Sequence, residues 1–117
     1  MAVKKIVANI SACDLSLAKQ FYVDILDMES VMDLGWISTY SSGQTNTCLL
    51  SIASEGGSGT PVPDLSIEVD NLDAVHEHVQ ASTLTISYPM TTEPWGIRRF
   101  FVIDPFGKTI NLTEHVK

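Results

Sequence analysis

The sequence is short of positive charge: seven Lys and Arg stand against fourteen Asp and Glu, a net charge of −7 over 117 residues. A field of that sign repels phosphate backbones and anionic lipid surfaces, so nucleic acid and membrane are not expected as partners, whereas a cationic small molecule would be attracted. Long apolar runs are missing too. No stretch approaches the roughly 18 residues of a membrane span, and the start, Met1 to Ile10, lacks the apolar core and small-residue cleavage site of a secretory leader, so a cytoplasmic location is expected. Cysteine is scarce. Cys13 and Cys48 stand outside any CxxC or Cys/His spacing, which argues against a disulfide framework or a zinc site and reads as two reduced core thiols.

Apolar residues make up 44% of the chain, enough for one core and too few for two independent domains. From Val3 to Ser11, Ile6, Ala8 and Ile10 alternate with Val7, Asn9 and Ser11, the period of a strand with one packed face. Asp14 is a helix start signal, and Leu15, Ala18, Phe21, Tyr22, Ile25 and Leu26 recur at helical spacing, which predicts a helix from Asp14 to about Leu26. Strand-like stretches follow at Glu29–Leu34, Trp36–Ser42 and Asn46–Ala53. The glycine-rich run Ser54 to Pro61 reads as a flexible linker.

Beyond the linker the pattern begins again. Leu65, Ile67 and Val69 alternate with Asp64, Ser66 and Glu68; Asn71 opens a helix carrying Leu72, Val75 and Val79; strands are predicted at Thr83–Tyr88, Ile97–Ile103 and Thr109–Thr113. Asp14 and Asn71 lie 71 − 14 = 57 residues apart, and the same shift carries Ile10 onto Ile67. The expected architecture is α+β: two tandem βαβββ modules forming a curled mixed sheet around a concave cavity, with the helices on the outer face. The whole chain, 1–117, is one domain in this reading, with module one at about 1–54, a linker at 55–62 and module two at about 63–117.

The stretch Glu93-Pro94-Trp95-Gly96-Ile97-Arg98-Arg99-Phe100-Phe101-Val102-Ile103-Asp104-Pro105-Phe106-Gly107-Lys108 resembles the "pWG.r.F...DP.G" signature of the vicinal oxygen chelate superfamily, which includes glyoxalase I, bleomycin-resistance proteins and extradiol dioxygenases. Its pattern is nearest to the bleomycin-resistance-like branch. Asp14-Leu15 followed by Phe21-Tyr22 is similar to the family's opening, and the duplicated βαβββ unit is the family's own. Physically, Asp104 to Gly107 is a tight turn in which Pro105 presets φ and Gly107 takes a positive φ. The resemblance covers essentially the whole chain and implies a homodimer.

In metal-dependent members one ligand lies seven residues before each helix start and another in the last strand of each half. Carried over, those positions are Val7 (14 − 7), Asp64 (71 − 7), Ser51 and Asn111 (104 + 7). Such a set offers one anionic donor where a transition metal wants several, so no metal and no other cofactor is expected. His76 and His78, two apart on one helix, lack the spacing to share a metal and read as solvated. His115 reads as exposed near the chain end, and Glu114 as lying on the strand face opposite Asn111.

Alternation sends Val7, Asn9, Ser11, Asp64, Ser66 and Glu68 to the concave face, with Ser51, Thr109, Asn111 and Thr113 beside them. Aromatic surface comes from Trp36, Tyr40, Trp95 and Phe101 together with Tyr88 and Phe106, and carboxylates beside aromatic rings suit a flat or cationic organic molecule. Arg98 and Arg99 adjoin in one strand and face opposite ways. Arg98 is carried as a ligand candidate, and an arginine in the cavity would weaken the case for a cationic ligand. The expected function is therefore a metal-free, dimeric small-molecule-binding protein that sequesters a polar or cationic ligand. The rival is a glyoxalase- or dioxygenase-like enzyme with a divergent metal site, or one using Asp64 or Glu68 in acid–base work.

Overall fold

The computed structural model describes residues 2–44 and 48–116. In chain order its elements are β1 (Val3–Ser11), α1 (Ser16–Tyr22), β2 (Glu29–Asp33), β3 (Ile37–Ser41), β4 (Leu49–Ala53), β5 (Leu65–Val69), α2 (Leu72–Gln80), β6 (Ile86–Thr92), β7 (Ile97–Ile103) and β8 (Thr109–His115). The strands follow the hydrogen-bonding order β2-β3-β4-β1-β5-β8-β7-β6 in an eight-stranded mixed sheet, the α+β arrangement of two βαβββ repeats. The expected start of the third strand-like stretch, at Asn46, lies outside the described residues. Two compact units divide the chain. One, the C-terminal unit, takes Met1–Ile6 together with Pro63–Lys117, and the other, the N-terminal unit, takes Val7–Val62.

In the C-terminal unit β5 pairs in parallel with β8, and β8 and β6 each pair antiparallel with β7. One face is apolar and covered by α2: Val69, Leu72, Phe100, Val102, Ile110 and Leu112 form the core there. Full burial of each such side chain is worth about 1.5–3 kcal/mol. The Asn71 side chain caps α2 by accepting from the Ala74 amide at 3.1 Å, and the Glu114 carboxylate accepts from the Leu72 amide at 3.2 Å. These bonds satisfy amide groups that the first turn leaves without helical partners. His76 stands edge-on to Phe100, ring centroids 4.8 Å apart, so it is a packing residue and not the solvated histidine its sequence position suggests.

In the N-terminal unit β1 pairs in parallel with β4, and β3 lies antiparallel between β4 and β2. Helix α1 packs on Tyr40 and Ile52, and Tyr22 stacks on Tyr40 at 5.7 Å between centroids. The helix is shorter than the Asp14–Leu26 span that periodicity predicts. After Tyr22 the bonding loosens: the amides of Asp24 and Leu26 reach back five residues to the carbonyls of Lys19 and Phe21, and Asp27 at φ 57° ends the segment. A helix of two turns covers little sheet. Ile10 is consequently 44% exposed; Ile6, which belongs to the C-terminal unit, is 56% exposed, against the expectation that both pack beneath helices. Cys13 and Cys48 are exposed, not core thiols.

The glycine-rich run is a closed loop where sequence composition suggests a loose tether. The Gly56 amide bonds the Thr60 carbonyl at 2.7 Å, and the Thr60 amide and hydroxyl both return to the Gly57 carbonyl. A Cβ at Gly56 would stand 2.1 Å from the Pro61 carbonyl oxygen, so only glycine admits this approach. The Asp104–Gly107 turn forms as its sequence predicts. Gly107 has φ 79°, and the Asp104 carboxylate accepts from the amides of Phe106 and Lys108 at 2.8 and 2.9 Å.

Candidate functional site

Because Phe100, Val102, Ile110 and Leu112 face α2, alternation sends their neighbours to the other side of the C-terminal unit's strands. Register then sorts these neighbours into two rows. Ser66 pairs with Asn111, Asn111 with Phe101 and Phe101 with Tyr88; one step along, Glu68 pairs with Thr113 and Thr113 with Arg99. Neighbouring strands stand about 4.8 Å apart, so each row is a band of adjoining side chains.

Arg99 is the largest buried side chain of this face, 2% exposed. Its Nε donates to the Glu93 carboxylate at 2.6 Å, and that same carboxylate oxygen accepts from the Tyr88 hydroxyl at 3.2 Å. The guanidinium lies 5.2, 5.0 and 4.9 Å from the ring centroids of Tyr88, Trp95 and Phe101. Three rings and one carboxylate thus compensate a cation withdrawn from water. Gly96, at φ 88°, closes the turn that carries Trp95 between Glu93 and β7.

Glu68 is a second charge centre. Lys4 Nζ, Lys5 Nζ and His115 Nδ1 stand 3.3, 3.5 and 3.1 Å from its carboxylate oxygens. Burial pushes the Glu68 carboxyl up. The hydrogen bond from Lys4, joined by the charges of Lys5, His115 and Lys4 itself, outweighs burial and holds the group below its ordinary value of 4.5. A carboxyl lowered on folding stabilises the fold above its unfolded pKa, and that contribution is lost as pH falls through the lower folded value. Melting temperature should therefore drop on acidification from about pH 5 to about pH 3, and Glu68→Gln should flatten part of that drop. An unchanged acid profile in Glu68→Gln would count against the cluster as drawn.

Asn111, on β8 in the row next to the one that joins Glu68, Thr113 and Arg99, is buried. Its Nδ2 donates to the Ser66 hydroxyl at 3.0 Å, while its Oδ1 is buried with no hydrogen-bond partner among the described residues. A buried acceptor left unmet costs about 1–3 kcal/mol.

The other residues singled out from sequence fall elsewhere. Arg98 lies on the α2 side, ion-paired with Asp73 and 3.7 Å from Glu114, so Arg99 and not Arg98 shares the face with Phe101. Asp64 is exposed and accepts from the Thr109 amide at 2.8 Å, pinning the start of β8. In the N-terminal unit Val7 is buried, and Asn9, Ser51 and Thr39 form a polar row by register, with Thr39 and Ser51 hydroxyls 2.7 Å apart. Asn9 corresponds to Ser66 by the repeat, 66 − 9 = 57. Tyr40 is buried beneath α1, and the Trp36 carbonyl accepts from the Ser54 amide at 2.9 Å. Ser11 lines a groove of about 450 Å³ with Ile10, Leu17, Phe21 and Ile52.

Sequence reasoning missed Glu93 as the arginine's partner and Lys4, Lys5 and His115 as partners of Glu68. The signal for Glu93 was available, since a turn placed at Trp95-Gly96 folds it back beside β7. Nothing local marks the lysines.

The donor chemistry does not fit a transition metal. Val7 offers no donor, the Ser51 hydroxyl is held by Thr39, the Asp64 carboxylate is engaged by a backbone amide, and Asn111 is an amide. Among the described residues no group of three or more His, Cys, Asp or Glu is placed to hold a metal ion. The chemistry within reach of this face is hydrogen bonding and stacking. No helix of the described residues is long and apolar enough to cross a membrane.

Comparison with known proteins gives the fold a context. The sequence model of the Glyoxalase/Bleomycin resistance protein/Dioxygenase superfamily matches residues 6–112. No curated protein matches the chain. Among solved structures, one described as an NAD-dependent benzaldehyde dehydrogenase from Legionella pneumophila aligns at TM-score 0.74 and 15% identity, covering 94% of this chain and 98% of that one. A superfamily member from Vibrio splendidus 12B01 aligns at TM-score 0.67 and 13% identity over 98% and 100% of the two chains. A Streptomyces coelicolor methylmalonyl-CoA epimerase in complex with 2-nitronate-propionyl-CoA aligns at 0.66 and 14%, over 98% and 97%. At such identities the likeness is one of fold.

Proposed function

The chain belongs to the glyoxalase/bleomycin resistance protein/dioxygenase superfamily, and from that premise we propose that it is a metal-free small-molecule-binding protein whose ligand meets the polar face of the C-terminal unit. One observation carries the reading: Asn111, buried at the position where metal-dependent members place a ligand, holds an amide oxygen without a partner among the described residues. Evolved interiors rarely tolerate such a group unless something else satisfies it. Phe101 adjoins it by register, and Tyr88 and Trp95 gather with Phe101 around Arg99.

Acid–base catalysis is the weaker reading. A general base near neutral pH needs a raised carboxyl pKa, and Glu68 is held low by its cationic neighbours. Asp64 is exposed, and its carboxylate is engaged by a backbone amide. Sequestration asks only for shape and hydrogen-bond complementarity. We further propose a homodimer, supported by exposed apolar side chains at Leu17, Phe21, Ile25, Leu26, Val31 and Met32 that a second copy would cover. Light scattering should give twice the chain mass, and Ile25→Glu should return a monomer.

The experiment that tests the binding reading is a thermal-shift screen of small polar aromatic compounds on the wild type and Asn111→Leu. Without ligand, Asn111→Leu should be the more stable protein by about 1–2 kcal/mol, because it removes an unmet buried acceptor. It should also lose every ligand-induced shift. Compounds that stabilise both proteins equally would overturn the assignment of the site to Asn111.

A further inference from the structure

The face around Asn111 carries charge of both signs, and its buried charges are engaged internally. Glu68 is met by Lys4, Lys5 and His115, and Glu93 by Arg99. A cationic ligand would find both buried carboxylates already compensated, and an anionic ligand would find buried Arg99 already bound to Glu93, while Lys4 and Lys5 are half-exposed and share Glu68. Burial of either against this face would leave a charge without a counter-charge, which is the costly case.

We infer that the ligand group read here is uncharged and both donates and accepts hydrogen bonds, as a carboxamide or lactam does; this rests on the reading that the face binds a small molecule. The amide of Asn111 is the reader. As oriented, Nδ2 donates to Ser66 and Oδ1 asks for a donor. Turned end for end, Oδ1 would accept from the Ser66 hydroxyl and Nδ2 would ask for an acceptor. A carboxamide meets either orientation with the same planar edge. Phe101, opposite Asn111 in register, is buried against Arg99 and Tyr88, so the half-buried rings of Tyr88 and Trp95 are the apolar surface left for the rest of such a ligand. The preference for a cationic ligand that the net charge of −7 suggests is thereby replaced by a local one, because recognition answers to the groups within contact and not to the summed field.

Benzamide, benzoate and benzamidinium share one shape and differ in charge. Titrated into ¹⁵N-labelled full-length protein at neutral pH, benzamide should shift the Asn111 side-chain amide signals and bind about tenfold tighter than either charged probe, a difference of ~1.4 kcal/mol. Asn111→Asp keeps the side-chain volume and exchanges the amide for a carboxylate. It should reverse the order, with benzamidinium gaining about tenfold on benzamide. If a charged probe perturbs the wild-type Asn111 signals more strongly than benzamide, or if Asn111→Asp leaves the order unchanged, the neutral-ligand inference fails while the binding reading stands. If none of the three perturbs Asn111 at millimolar concentration, both fail.

Discussion

Glu93→Ala is expected to lower the free energy of unfolding by about 3–5 kcal/mol, the cost of stranding a buried charge. Glu93 and Arg99 side chains are 3% and 2% exposed, and the bond between them is 2.6 Å long. Removing the carboxylate leaves a guanidinium enclosed by three rings, which compensate part of its lost hydration and not the charge itself. Removing both charges is a different case. Glu93→Gln with Arg99→Met substitutes neutral groups of similar volume and should recover most of the loss, since a buried pair contributes little net stability over a well-packed apolar replacement. Chemical denaturation of the two single variants and the double variant measures the coupling directly. A cost below about 1 kcal/mol for Glu93→Ala, the range of a surface pair, would mean that the cluster is open to water.

Phe100→Ala should be as damaging, by another mechanism. Phe100 is fully buried among Leu72, Val102 and Leu112 with His76 against its edge, so truncation removes apolar area and leaves a cavity that α2 has little freedom to fill. The expected loss is about 3–5 kcal/mol by denaturant unfolding. Phe100→Leu keeps most of the volume and should cost less than half as much. Equal costs for the two would show that shape, and not cavity volume, sets the penalty.

These two residues also mark how far sequence reasoning reaches. The alternation in β7 already places Arg99 and Phe100 on opposite faces, and the Asp104–Gly107 turn and the Asn71 cap are written in three or four adjacent residues whose backbone demands are specific. Period and turn chemistry are local, so they are legible. The partners of Glu68 are not. Lys4 and Lys5 belong to a strand start that joins the C-terminal unit from more than sixty positions away, and a long flexible side chain can reach one carboxylate from either strand face. The length of α1 was misread because its apolar spacing continues past Tyr22 while its hydrogen bonding does not. Ile25 and Leu26 keep the helical period yet remain 67% and 51% exposed, so the pattern there does not mark core. Asn111 is intermediate: alternation gives its face, but only the three-dimensional arrangement reveals that half of its amide has no partner among the described residues.

The central claim is that this face binds through hydrogen bonds and stacking and without a metal. Elemental analysis of protein purified without chelator, followed by calorimetric titration with zinc, nickel and manganese, tests it most directly. The account predicts no stoichiometric metal and no binding heat at micromolar concentration. About one metal per chain, abolished by Asp64→Ala, would contradict it and turn attention to lyase or dioxygenase chemistry.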